Sequence, residues 1–221
     1  MDERRAAAPR LARGRDTALA AVTAYAREAA ASRGAVVLVE GLSDRAAVEA
    51  LATRRGRDLR AEGVFTVPMG GATNLGHFLD LLGPRGRDVR LAGLCDAAEA
   101  PGFRRSLQRA GLAGDRAAAD RAAGDFLDRI GFFVCVADLE DELIRSLGTA
   151  RVERVIEDQG ERGPLRTFSK QPAQRERTRE QQLRRFMGTR SGRKIQYARA
   201  LAEALDPAHV PEPLARLLAY V

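Results

Sequence analysis

Two cysteines, two histidines and two lysines are all that 221 residues contain of three chemically useful side chains. Cys95 and Cys135 stand in apolar runs, "LAGLC" and "GFFVC", without CxxC spacing. That setting suits reduced core thiols and argues against a zinc site or a disulfide framework. His77 and His209 are isolated, which leaves no histidine cluster for a transition metal and no catalytic triad. A long apolar run is also missing, so no segment is suited to spanning a bilayer. The start, "MDERRAAAPRLARGRD", lacks the apolar centre and cleavage pattern of a secretory signal, and a cytoplasmic protein is the expectation. No GxxxxGK[ST] loop occurs. The nearest stretch, "GTRSGRK", has the wrong spacing and no hydroxyl after the lysine, which excludes ATP hydrolysis of the P-loop kind.

What the chain has is arginine, apolar runs and acids in particular places. Its net charge is +7 and its isoelectric point near 10.3, which favours an anionic partner, nucleic acid before membrane. At 45% hydrophobic residues it can bury a core. After a helix in "DTALAAVTAYAREAAASRG", within residues 1–34, apolar runs and helical stretches alternate. Strands are expected at 35–39, 63–67, 89–95 and 131–138. The intervening helices start near Asp44, Asn74 and Pro101, and another follows in "LEDELIRSLG". Ser43 or Asp44 is suited to cap the first of these. This rhythm predicts an α/β fold, a parallel sheet flanked by helices, over 35–150. From 151 to 221 the segments "ARVERVIEDQ", "REQQLRRFM", "KIQYARALAEAL" and "PEPLARLLAYV" predict a helical, Arg-rich C-terminal part packed on the sheet or extending from it.

Three of the strands run into carboxylates. Glu40 and Asp44 follow the first, Asp96 ends the third, and Asp138, Glu140, Asp141 and Glu142 follow the fourth. One strand, a turn and a helix cap explain any single case. Three together put like charges on one edge of a parallel sheet, where they repel unless a cation neutralises them, and hard oxygen ligands suit Mg²⁺ or Mn²⁺. Residues 175–199 hold nine Lys or Arg against two Glu. The run reads either as a solvated helix face or as a phosphate-binding surface carrying Arg184, Arg185 and Arg193. Lys194 stands out differently, because only Lys170 and Lys194 among 37 basic residues are lysines. A compact ammonium approaches a phosphate as a point charge where a planar guanidinium does so less well. Lys170 lies in the polar linker "TFSKQPAQ" and reads as a surface residue.

The stretches "VLVEGLSDRAAVEALA", "VPMGGATNLGHFLDLL", "LAGLCDAAE" and "DLEDEL" together resemble a Toprim domain, the fold shared by topoisomerases, bacterial primases and several nucleases, and the tail resembles the OLD-family nucleases within that group. The resemblance spans about residues 35–205. It implies a Mg²⁺- or Mn²⁺-dependent endonuclease, a phosphodiester hydrolase acting on DNA or RNA. It further implies metal ligands Glu40, Asp44, Asp96 and Glu140, with Glu40 and Lys194 in catalytic roles. Two departures accompany it. The Asp-x-Asp usual at the third strand is Asp96-x-Ala98 here, which bears on a second metal and leaves Glu99 as a substitute. The ATPase domain that precedes Toprim in OLD proteins has only about 34 residues in its place, leaving room for an ATPase partner in trans. A non-catalytic module that binds metal and nucleic acid within a complex is the other reading. A primase or topoisomerase reading lacks its accessory modules and a tyrosine in a nucleophilic setting.

Overall fold

In a computed structural model, residues 3–31, 34–112, 123–190 and 192–221 are described, with side chains from residue 17 and, after the 113–122 gap, from 126. The described elements run α1 (Glu3–Ala31), β1 (Ala35–Val39), α2 (Leu42–Arg54), β2 (Val64–Pro68), α3 (Leu75–Leu82), β3 (Arg90–Asp96), α4 (Ala100–Arg109), α5 (Ala123–Arg129), β4 (Phe132–Cys135), α6 (Leu139–Leu147), α7 (Thr149–Asp158), α8 (Arg162–Ser169), α9 (Arg179–Met187), α10 (Arg193–Ala204) and α11 (Glu212–Tyr220). The four strands form one parallel sheet in the order β2-β1-β3-β4.

β1 and β3 occupy the centre, which is why "AVVLV" is buried at every position. Its side chains alternate. Val37 and Val39 join a core with α2, α6–α11, whereas Val36 and Leu38 join a second core with α1, α3, α4 and α5. Gly93 on β3 belongs to this crowding, because a Cβ there would stand 2.7 Å from both the Leu38 carbonyl and the Phe132 ring. Pro68 lies on β2, an edge strand, where its missing N–H breaks no ladder.

The expected parallel sheet with flanking helices and a helical C-terminal part is present. The C-terminal helices lie on one face of the sheet: Val152, Leu183, Phe186, Leu201 and Leu217 share a core with Val37 and Val39. The change at residue 151 is thus one of composition, within a continuous core. Four details differ from the sequence reading. β4 stops at Cys135, since residues 136–138 turn out of the sheet to start α6. α1 begins at Glu3, well before the expected start, and α5 and α8 are short helices where none was expected. α2 begins at Leu42, so Ser43 and Asp44 sit inside its first turn, and Asp44 reaches back to the cap at Gly41. Among the described residues no helix is long and apolar enough to cross a membrane.

Candidate functional site at the carboxyl edge of the sheet

Parallel strands deliver their carboxyl ends to one edge, and the candidate acids gather there. Glu40 follows β1 directly and is exposed. Its carbonyl accepts hydrogen bonds from the N–H groups of Gly70 and Gly71, at 3.0 and 3.1 Å, in the loop after β2. Those glycines adopt φ of +75° and +127°, open to residues without a Cβ, so the loop folds over the Glu40 backbone and leaves its carboxylate in solvent. Asp44 accepts the Gly41 N–H at 2.7 Å. Burial pushes its carboxyl up to about 6, with Glu140 and Glu40 adding to the rise and the Gly41 N–H and Lys194 opposing it. Asp96, the last residue of β3, is pushed up to about 7 by burial and then by the charges of Glu40, Asp138, Asp44 and Glu140.

After β4 the four acids divide by task. Asp138 caps α6, accepting the Asp141 N–H at 2.8 Å, and pairs with Arg184. Glu142 is buried, accepts the Val136 N–H at 2.7 Å and pairs with Arg145 at 2.6 Å, while Asp141 pairs with Arg145 at 2.9 Å. Glu140 is different. It is 5% exposed, and the one group that faces its buried Oε1 among the described residues is the Lys194 ammonium 3.1 Å away. Burial works against the charge of Lys194, but Glu140, then Asp44 and Asp138, outweigh it and hold its pKa above the ordinary lysine value. Glu40, Asp44, Asp96, Glu140 and Lys194 therefore form one electrostatic neighbourhood.

Beside them opens a cleft of about 440 Å³ lined by Asp138, Glu140 and Lys194 together with Arg177, Arg184 and Arg185. Arg193 takes no part in it, contrary to the reading of the basic run. Only 7% exposed, it pairs with Glu161 Oε1 at 2.6 Å, donates to the Thr189 hydroxyl at 2.5 Å, and stacks 4.4 Å over Phe186. Tyr197 donates to the other Glu161 oxygen at 2.7 Å. This Glu161–Arg193–Tyr197 network, invisible in the sequence because its members are 32 and 36 residues apart, ties the start of α10 to the start of α8 next to Lys194. Ala98 and Glu99 are exposed in the turn after β3. Lys170 is exposed at the end of α8. His77 meets the Thr23 hydroxyl at 2.9 Å, and His209 pairs with Asp206. Both thiols are free and buried in opposite cores, and burial raises both, Cys95 to about 12.

Among the described residues no three His, Cys, Asp or Glu side chains converge closely enough to enclose a metal ion as they stand. The donors nonetheless fit a divalent cation in kind. They are hard carboxylate oxygens on one edge, two of them raised partly by mutual repulsion, and the buried Glu140 Oε1 lacks any donor but an ammonium.

Residues 34–97 match the family model described as "Overcoming lysogenization defect protein-like, TOPRIM domain". The chain also shares its fold with solved C-terminal regions of OLD proteins. It is 23% identical to that of Burkholderia pseudomallei, with 84% of this chain and 95% of that one covered and a TM-score of 0.61. For the Xanthomonas campestris pv. campestris protein, phased with iodine, the identity is 26%, the coverage 84% and 92%, and the TM-score 0.62. No curated protein matches. The chain thus carries an OLD-like Toprim segment within a fold similar to the C-terminal regions of OLD proteins.

Proposed function

We propose that this OLD-like Toprim chain is a Mg²⁺- or Mn²⁺-dependent endonuclease that hydrolyses phosphodiester bonds in DNA or RNA. The observation that carries the reading is the pairing of a carboxylate edge with Lys194 at the mouth of an Arg-lined cleft. Glu40, Asp96 and Glu140 would hold one cation, with Asp44 near a second whose site is weakened by Ala98. A bound cation supplies Lewis-acid polarisation of a phosphate oxygen and a water of lowered pKa. The chain's own groups do the rest. Arg177, Arg184 and Arg185 hold the phosphate backbone in the cleft, and Lys194, freed from Glu140, neutralises charge that develops on the reacting phosphate. Its starting place is fixed by the Glu161–Arg193–Tyr197 network one residue earlier on α10.

Cleavage of supercoiled and linear DNA and of structured RNA, with each cation in turn, tests this. Cleavage of one substrate class is expected, lost with EDTA and in Glu40→Gln and Asp96→Asn. Ala98 favours the second reading, a non-catalytic metal- and nucleic-acid-binding module acting with an ATPase partner. That reading gains if nothing is cut and Ala98→Asp restores nothing.

A further inference from the structure

Two large aliphatic side chains are exposed among the described residues, Leu42 at 56% and Val136 at 69%. Single exposed aliphatics are ordinary on a protein surface. These two stand at the same edge of the sheet, after β1 and β4 on either side of β3. Leu42 opens α2 between Glu40 and Asp44, and Val136 is the first residue beyond β4. Between them lies the end of β3, where the Ala97 N–H donates to the Cys135 carbonyl at 2.9 Å and so sets Ala97 beside Val136. Ala97, Ala98 and Ala137 are exposed as well. The carboxylate edge therefore carries an apolar rim formed by the turns after β1, β3 and β4.

The rim is held firmly. The Val136 N–H is bonded at 2.7 Å to Glu142, a carboxylate 5% exposed and itself paired with Arg145. Gly41 is fixed by Asp44 at 2.7 Å. Order of this kind presents an apolar surface instead of letting it fold away.

We infer that Leu42 and Val136 contact the bases of the bound strand on either side of the phosphate at the carboxylate edge. The inference rests on the nuclease reading. Its ground is complementarity along the edge: phosphates are drawn to Arg177, Arg184 and Arg185 in the cleft, which leaves the apolar faces of the bases as the matching surface for the aliphatic side chains that stand exposed among the edge carboxylates. Leucine is among the side chains that proteins insert between base steps, unstacking them.

The test is equilibrium binding of a labelled single-stranded DNA and of the same strand with abasic residues at its centre, with Mg²⁺, in the Lys194→Ala background so that the strand stays intact. The intact strand should bind about tenfold more tightly than the abasic one, ~1.4 kcal/mol. Leu42→Ser and Val136→Ser should each remove most of that preference while leaving abasic affinity, salt dependence and melting temperature unchanged. Equal binding of both strands, or a preference that survives in both serine variants, overturns the rim and spares the nuclease reading. No binding of intact strand at any salt overturns the rim as a base contact, while the nuclease reading stands or falls by cleavage of duplex DNA and structured RNA. A fall in sedimenting mass in the serine variants, with the base preference unchanged, overturns the rim in favour of contact between copies of the chain.

Discussion

On the face of the sheet covered by α1, α3, α4 and α5, the core is built from residues such as Phe78, Leu82, Phe103, Leu107 and Phe132. The face covered by α2 and α6–α11 has an apolar core of similar kind, yet the three charged side chains buried among the described residues, Glu140, Glu142 and Arg193, all belong to its elements. The first face needs only volume and shape. The second also holds ions, which are tolerable inside only when paired. Its pairs serve position: Glu142 fixes the turn after β4, and Glu161 with Arg193 fixes the start of α10. One face supports the sheet, and the other positions the carboxylates and Lys194 at its edge.

Mutations can break this contrast. Leu107→Ala on α4, fully buried, should cost about 2–5 kcal/mol of stability in urea unfolding and leave cleavage per folded molecule unchanged. Glu161→Ala on the other side strands a buried guanidinium and should cost about 3–5 kcal/mol. It should also slow cleavage at saturating substrate, because the anchor before Lys194 is lost, and Glu161→Gln should recover part of both. If Leu107→Ala slows cleavage as much as Glu161→Ala, the faces do not differ as described.

Lys194→Ala sharpens the contrast within the site. About a hundredfold slower single-turnover cleavage, ~2.7 kcal/mol, is expected with substrate affinity nearly intact, the mark of a contact made as the phosphate reacts. Lys194→Arg should recover little, since the guanidinium keeps the charge but not the shape. Matching losses in affinity and rate would make Lys194 a binding residue.

The strands and the carboxylate edge were legible because both are written locally: apolar runs that end in an acid, then a glycine or a cap. The edge of β4 was not, since Val136 and Ala137 are apolar in sequence yet lie in solvent after the chain leaves the sheet. Nor does the run Asp138, Glu140, Asp141, Glu142 reveal which acid is left to face Lys194. That depends on a cap bond, on Arg145 and on Arg184, 46 residues away from Asp138. Arg193 misled for the same reason. A cluster of positive charges shows where arginine is, and only the tertiary partner Glu161 shows which arginine is withdrawn from solvent.

The most direct test of a cation at this edge is the linkage between its binding and the protons it displaces. Asp44 and Asp96 carry folded-state values of about 6 and about 7, above the 3.8 of a free aspartate. The folded protein thus holds protons that the unfolded chain releases. Stabilisation from them is full below about pH 4 and is lost as the pH rises to about 7. A divalent cation replaces those protons, so its benefit should grow with pH. A hundredfold excess over Kd is worth about 2.7 kcal/mol, and each kcal/mol moves a chain of this size by ~2–4 °C. The measurement is the melting temperature with and without Mn²⁺ at about pH 5 and about pH 8, for the unaltered protein and Asp96→Asn. The account predicts a gain of several degrees at the higher pH, less at the lower, and little in Asp96→Asn. A melting curve that Mn²⁺ leaves unmoved at about pH 8, or one it raises equally in Asp96→Asn, contradicts it.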